Sequence, residues 1–422
     1  MIRREFLKKT GHYVAGMSLV SNLELLKNKE ELKILVVSGW QDINIGDIAH
    51  TPGLLHILQS FLPKAEIVLW KKSAGVEVGN LIKSAFPKVN IVYGAVDSAG
   101  KVDNPEIIEK FRWADILIHG SGPSVVGRDN LKAWSDYSDK PYGIFGVTIQ
   151  DIDEALRRLL SKASFIYTRE TASLKVLEKK GLKGEHIQFA PDATFYLNLV
   201  DEEKATEFLR INQLEEGKFI CVIPRLRFTP YHKLRKVNWT KEHIEMVERV
   251  NAETKERDHA KLRMAMISWV EKTGQKVLVC PEMTYQVDIM DELLINPLPE
   301  QIKPHIVKRG YWMPGEAASI YRRAHTIISC ECHSPIIALA NGTPAFYVRQ
   351  PTDTIKGQMY YDLGLSDWVF EIEERSGMDI SNSLMQMVES YPDAKGMVKK
   401  TNDKIQDTYS QRVQRIPELI AR

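Results

Sequence analysis

From Leu32 onward the chain repeats one pattern: a short run of Val, Ile and Leu, then a stretch with apolar residues at helical spacing. LKILVVSG is followed by IAHTPGLLHILQSFL, EIVLW by VGNLIKSAF and NIVYG by PEIIEKFRWA, and a fourth run, DILIHGSG, ends on glycines. YGIFGVT, DEALRRLLSKA, FIYTRE, TASLKVLEKKG and IQFAPD continue the series. Strands that are apolar throughout are buried on both faces, and strands separated by helices pair in parallel. After a charged stretch, Asp201 to Lys218, the alternation restarts at FICVIPR. It then runs through KVLVCPEM, VDIMDELLI, HIVKRG, GEAASIYRRA, HTIISCEC, SPIIALANG and TPAFYVR. The expected class is therefore α/β, with two tandem Rossmann-like, doubly wound domains facing a cleft.

At 422 residues the chain is long enough for two or three domains. The expected division is 31–205 for the first Rossmann-like domain and 215–378 for the second. Residues 379–422 read as a polar helical segment that packs back across the first domain. Lys241 to Thr273 reads as helical without Pro, and its polar middle, NAETKERDHAKL, marks either a helix pair or an exposed break. Two such domains in tandem are the GT-B-like architecture of the large two-domain glycosyltransferases. In open parallel sheets ligands bind outside the carboxyl ends of the strands, so the chemistry is sought there.

The formal net charge of +2 argues against a nucleic-acid binder, which carries a basic stripe. Four cysteines do not make a disulfide scaffold in a chain this long. Cys221, Cys280 and Cys330 fall in predicted strands and read as buried free thiols. Cys330 and Cys332 have no partner His/Cys cluster at ligand spacing, so no metal is expected. No G-x-G-x-x-G follows the first strand and no Walker loop is present, so no dinucleotide or other cofactor is expected. Arg3-Arg4 followed by Phe6-Leu7-Lys8 resembles the twin-arginine export signal. The apolar segment after it, Tyr13 to Val20, is too short to span a bilayer, and no transmembrane segment is expected. Residues 1–30 are set aside as a signal segment of a periplasmic or envelope-associated protein, the alternative being a basic first helix of a cytoplasmic one.

Six strand ends carry polar residues. After the first strand, GWQDINIGDIAH brings Asn44, Gly46 and Asp47 to a helix start, with Asp47 suited to capping that helix or to facing the cleft. After the fourth, HGSGPS places Ser121 and Ser124 among glycines that suit either a turn or close approach to a ligand. Arg169 and Glu170 follow FIYT, where an arginine either forks onto a carboxylate or phosphate or locks strand to helix. Asp192 ends IQFAPD as a turn or capping residue. VIPRLRFTPYHKLRK crowds Arg225, Arg227, His232, Lys233, Arg235 and Lys236 at one strand end. A solvated loop explains such a run, as does a small polyanion carrying phosphate and carboxylate. Finally SCECHSPIIALANG puts Glu331 and His333 at a strand end, with Ser334 near the N-cap and Pro335 at the first helical position. A histidine facing the cleft there can act as an acid near neutral pH.

NIGDIA, YTRETASLKVLEKKGL, APDATFYL and ECHSPIIALANGTPAFYV occur in this order between Lys33 and Leu365. Together they resemble the polysaccharide pyruvyl transferase family. The resemblance implies transfer of a pyruvyl group from phosphoenolpyruvate to two hydroxyls of a cell-envelope glycan, forming a cyclic ketal. It implies His333 as the acid that protonates the donor, and arginines that hold the donor carboxylate and phosphate. Arg225, Arg169, Arg227, Arg349 and Lys356 are the donor-binding set, and Asn44, Asp47, Ser121 and Ser124 the acceptor side.

The family pattern has arginine two residues before the histidine, where this chain has Glu331. A carboxylate there repels phosphoenolpyruvate and favours the imidazolium of His333, so Glu331 is grouped with His333 as a catalytic pair. Export also separates the enzyme from a cytoplasmic donor. Two other readings stay open. One is a nucleotide-sugar glycosyltransferase on the same scaffold, with Glu316 or Glu331 on the ribose. The other is a non-catalytic glycan-binding or processing protein of the envelope.

Overall fold

Thirteen strands, each parallel to its neighbours, form two sheets in the computed structural model, which describes residues 31–421. The twin-arginine stretch and the rest of residues 1–30 lie outside the described residues. The first sheet contains β1 (Lys33–Ser38), β2 (Glu66–Lys71), β3 (Asn90–Tyr93), β4 (Ile116–His119), β5 (Tyr142–Val147), β6 (Phe165–Thr168) and β7 (Ile187–Phe189). Their order is β3-β2-β1-β4-β5-β6-β7. The second contains β8 (Phe219–Ile223), β9 (Lys276–Val279), β10 (Ile306–Lys308), β11 (Thr326–Ser329), β12 (Ala345–Arg349) and β13 (Val369–Glu371), ordered β10-β9-β8-β11-β12-β13. Each order reverses beside its first strand, between β1 and β4 and between β8 and β11. That reversal opens a crevice at the strand carboxyl ends. The central strands β1, β4, β8 and β11 are buried along nearly their whole length, as their unbroken apolar sequences require. No described helix is long and apolar enough to cross a membrane.

Four helices fix the cleft: α1 (Ile45–Phe61), α2 (Lys241–Thr273), α3 (His333–Ala340) and α4 (Tyr391–Val413). The two domains touch where α1 begins. Ile45 N–H donates to the Glu282 carbonyl at 2.9 Å and Thr284 N–H to the Ile43 carbonyl at 3.2 Å, an antiparallel bridge between the loops after β1 and β9. α4 straddles both domains. Asn402 donates to the Leu339 carbonyl at 2.7 Å, the Tyr409 hydroxyl to the Asp192 carbonyl at 2.6 Å, and Arg412 to the Phe189 carbonyl at 3.1 Å.

Three local details differ from expectation. α2 is one unbroken helix of 33 residues, roughly 50 Å long. One face of its polar middle packs on protein, where Asn251 pairs with both backbone groups of Phe228 at 2.8 and 2.9 Å and Asp258 takes Arg227, while Glu253, Glu256 and Arg257 are exposed. Asn44, and not Asp47, caps α1, accepting from the N–H groups of Gly46 and Asp47 at 2.7 and 3.1 Å. α3 begins at His333, so Pro335 is its third residue. Its start is capped from another segment, because one Glu282 carboxylate oxygen takes both the N–H and the hydroxyl of Ser334, at 2.6 and 2.9 Å.

Candidate functional site

The crevices of the two sheets meet around His333. Its ring rests on the first turn of α1 at Gly46, where a Cβ would overlap the His333 Cβ, so only glycine lets the two helix starts approach this closely. Nδ1 lies 3.4 Å from Glu282 Oε1 and 3.6 Å from the Cys332 sulfur. Nε2 is 3.9 Å from Asp192 Oδ2 and has no hydrogen-bond partner among the described residues. Burial works against the imidazolium, but the neighbouring Cys332 and the Glu282 carboxylate outweigh it and raise the His333 pKa well above its ordinary value.

His50, one turn into α1 and fully buried, stands beside it with ring centroids 4.9 Å apart and planes nearly perpendicular. Its Nδ1 is 2.9 Å from Asp192 Oδ1 and 3.2 Å from the Thr194 hydroxyl. Its Nε2, also unpartnered, is 3.9 Å from Asp47 Oδ1. Asp192 also accepts from Arg169 Nη1 at 2.5 Å, and Arg169 Nε donates to Thr148 at 2.7 Å. Arg169 Nη2 is buried without a partner among the described residues. Burial is the largest influence on Asp192 and raises its pKa, yet His50 and Arg169 outweigh it and hold the carboxyl well below its usual range. Glu282 is depressed in the same way, with His333 and Ser334 outweighing burial.

A second ionic cluster adjoins the first through Cys332. Arg225, at the end of β8, pairs with Asp353 through Nη1, and its Nε lies 3.4 Å from Glu331 Oε2. Asp353 also accepts from the Tyr347 hydroxyl at 2.7 Å and stands 3.3 Å from Lys356 Nζ. Glu331 accepts from Gln286 at 2.7 Å. Burial pushes the Glu331 pKa up to about 8 in spite of Arg225. Burial opposes the charges of Arg225 and Lys356 too, but for Arg225 the acids Asp353 and Glu331, and for Lys356 Cys332 and Asp353, prevail and raise both.

His333, Arg169, Arg225, Lys356, Glu331, Asp47 and Asn44 thus gather at the domain junction. Within that group Glu331 turns to Arg225 and Gln286, and Glu282 takes the place beside His333 that the sequence suggested for Glu331. Asn44 is committed to capping. Arg227 and Arg349, of the expected donor set, have their bonds elsewhere in this structure. Arg227 forks onto Asp258 of α2 at 2.7 and 3.1 Å, and Arg349 holds Glu371 at 2.7 Å and the Thr354 carbonyl at 2.9 Å. Ser121 is fully buried and donates to the Gly146 carbonyl at 2.7 Å, whereas Ser124 is exposed on the same loop.

Sequence reasoning missed His50 and Glu282. His50 sits inside an apolar helical pattern, and Glu282 follows a buried strand by three residues, a strand-end signal open to reading. His50, Asp192 and His333 are ligand types whose atoms lie within 4.8 Å of one another. The 3.9 Å from His333 to Asp192 exceeds the roughly 3.3 Å between ligand atoms that bonds of about 2.0 Å around a tetrahedral ion imply. As arranged, the group is suited to moving protons.

The family model for polysaccharide pyruvyl transferase matches residues 44–350. Comparison with curated proteins gives no match. Among solved structures, the UDP-GlcNAc 2-epimerase of Neisseria meningitidis bound to UDP-GlcNAc is similar at TM-score 0.54 and 12% identity, covering 89% of this chain and 99% of that one. Anabaena HepE in complex with UDP-glucose is similar at TM-score 0.55 and 11% identity, over 92% and 98% of the two chains. A glycosyltransferase from Rickettsia africae gives TM-score 0.55 and 11% identity over 93% and 96%. At such identities the likeness establishes the two-domain Rossmann-like fold.

Proposed function

Because the chain belongs to the polysaccharide pyruvyl transferase family, we propose that it moves a pyruvyl group from phosphoenolpyruvate onto two hydroxyls of a cell-envelope glycan, with His333 as the acid. The carrying observation is the His333 imidazole: Glu282 lies beside its Nδ1, its Nε2 is unpartnered, and its pKa is raised. A protonated Nε2 is what the methylene carbon of an enol phosphate needs, because adding a proton there makes the neighbouring carbon electrophilic.

Glu331 does not forbid an anionic donor in this reading. With its pKa near 8 it is mostly protonated at neutral pH. Arg225 and Lys356 then face one ionised carboxylate, Asp353, and their surplus positive charge suits a phosphate or carboxylate. Arg169 Nη2 supplies a further donor. Asp47 is the acceptor-side carboxylate, since it is the acid of α1 that reaches the cleft. The twin-arginine-like start directs the reading to an envelope acceptor.

The test is a product assay with phosphoenolpyruvate and a mixed glycan pool, following phosphate release and pyruvylated product. His333→Gln is expected to lower turnover by roughly 10²- to 10⁴-fold with the fold retained by circular dichroism at the assay temperature, though with a lower melting temperature because Glu282 loses its cation. Thermal-shift titration identifies the donor. Stabilisation by phosphoenolpyruvate supports the proposal, and stabilisation by a UDP-sugar with phosphoenolpyruvate silent overturns it in favour of glycosyl transfer.

A further inference from the structure

Two imidazoles side by side, each keeping one ring nitrogen unpartnered in a buried place, are more than one acid requires. Buried polar atoms are nearly always hydrogen-bonded, so each exception calls for an explanation. The tautomers follow from the partners. Asp192 is held ionised, so the nitrogen of His50 beside it, Nδ1, carries hydrogen and donates. In neutral His50, Nε2 is then a bare lone pair. On His333 the carboxylate of Glu282 lies beside Nδ1, and the imidazolium presents an N–H at Nε2. The two rings stand edge to face with centroids 4.9 Å apart, and Asp192 joins them, with Oδ1 2.9 Å from His50 Nδ1 and Oδ2 3.9 Å from His333 Nε2. The remaining group near the base is Asp47, with Oδ1 at 3.9 Å.

We propose that His50 is a proton carrier that returns the acceptor hydroxyl's proton from Asp47 to His333 after each transfer. The inference rests on the pyruvyl-transfer reading. His50 has no exposed surface, so it acts through its two neighbours and positions the proton between them.

The balance closes. The methylene carbon of phosphoenolpyruvate gains hydrogen from His333 Nε2, and the double-bond pair forms the new C–H bond. The first glycan hydroxyl attacks the adjacent carbon and gives its proton to Asp47. The bond from that carbon to phosphate oxygen breaks with its electron pair on the phosphate. The second hydroxyl attacks the same carbon, and its proton leaves with the phosphate. The proton on Asp47 passes to His50 Nε2, and the Nδ1 proton of His50 crosses Asp192, whose oxygens lie 2.9 Å from His50 Nδ1 and 3.9 Å from His333 Nε2, to reach His333 Nε2; a turn of the His50 ring then returns hydrogen to Nδ1, and His333 is ready again. No other reactant is needed.

His50→Asn keeps a donor for Asp192 and removes Nε2. In rapid-quench assays it is expected to release one equivalent of phosphate per protein at close to the wild-type rate. Steady turnover then falls roughly 10- to 100-fold with KM falling in proportion, because the slowed step follows phosphate release, and added imidazole restores part of it. Equal loss of the first turnover and of the steady rate overturns the proposal. Thr194→Val, which removes only the weaker partner of Nδ1, serves as a second variant. It is expected to show the same burst in milder form, and a burst-free profile identical to wild type counts against the relay. Histidine nitrogen NMR on the resting protein needs no substrate: it should report Nδ1–H on His50, and a titration of His333 that shifts in His50→Asn. Absence of both effects overturns the coupling. Stoichiometric cobalt(II) binding with ligand-field bands that vanish in His50→Asn also overturns it, by making His50 a metal ligand. If wild type releases no phosphate from phosphoenolpyruvate, the function proposed above falls, and the NMR result alone decides the coupling.

Discussion

The two ionic clusters of the cleft use the same kinds of side chain and end in different states. Around Asp353 the cations are largely committed: Arg225 Nη1 and Lys356 to Asp353, with Tyr347 and Gln286 filling further positions, while Arg225 Nε, 3.4 Å from Glu331, is left without a hydrogen bond among the described residues. Around Asp192, Arg169, His50 and His333 each keep a buried nitrogen without a partner among the described residues. The first arrangement holds loops in place and keeps the surplus positive charge that the proposed anionic donor meets. The second leaves bonding capacity that a reacting molecule, or a moving proton, can use. The lesson is that charge alone does not mark the reactive part of this cleft, where the unpartnered nitrogens gather chiefly around Asp192.

The strongest way to break this contrast is to disturb the rigid side without touching a charge. Gly46→Ala adds one methyl group that overlaps His333. The ring must tilt or the two helix starts must separate. The expected cost is about 1–3 kcal/mol of stability. Turnover should drop roughly 100-fold, because the acid is misplaced by a fraction of an ångström to an ångström. Chemical denaturation and the product assay measure the two. If Gly46→Ala retains full activity, His333 works without its seat on α1, and the account of a preorganised acid is wrong.

Glu331→Gln sharpens the other side. The folded pKa of Glu331 is raised to about 8 from an ordinary value of 4.5. Between these values the folded chain holds a proton that the unfolded chain releases, so its contribution to stability falls as pH rises through that window. Between about pH 6 and pH 8 the loss is on the order of 2 kcal/mol, nearly one proton's worth. Glu170, pushed up to about 7 chiefly by burial, slopes the same way in both proteins, so the difference between them isolates Glu331. Glu331→Gln should match wild type near pH 5 and exceed it near pH 8 in denaturation midpoints. Parallel curves would mean that the carboxyl is ionised throughout and that the site repels an anionic donor at neutral pH.

Much of the fold was legible because apolar runs and helical spacing are local signals. The strand ends beside both reversals of strand order led to Arg225, Glu331 and His333. What stayed hidden depends on contacts between distant segments. Gly46 reads as a turn residue until His333, nearly three hundred positions later, is laid against it. His50 looks like a tolerated polar residue in an apolar helix, and only Asp192 gives it a role. Ser334 and Pro335 suggest a helix start that Glu282 shifts by supplying the cap from another strand end. The polar middle of α2 looked exposed for a related reason: its partners, Phe228 and Arg227, lie in a loop that packs on it from outside the helix.

Arg227 gives the mildest test, and it separates proximity from participation. It leaves β8 two residues after Arg225, yet its guanidinium turns to α2 and forks onto Asp258, with Glu373 at 2.7 Å on the outer side. Arg227→Met removes the fork and leaves Asp258, 2% exposed, short of its main partner. Stranding a fully buried carboxylate costs several kcal/mol, but Arg257 Nε already lies 3.6 Å from Asp258 Oδ1 and takes over part of the pairing. The expected loss is therefore about 1–2 kcal/mol in denaturation. KM for phosphoenolpyruvate should stay within a factor of two or so, since the lost bonds hold a loop to a helix and none reaches the junction around His333. A tenfold rise in KM with an unchanged melting temperature would place Arg227 on the donor after all. In that case the loop after β8 must swing its second arginine inward when substrate binds, and the division between committed and available cations would hold only for the substrate-free protein.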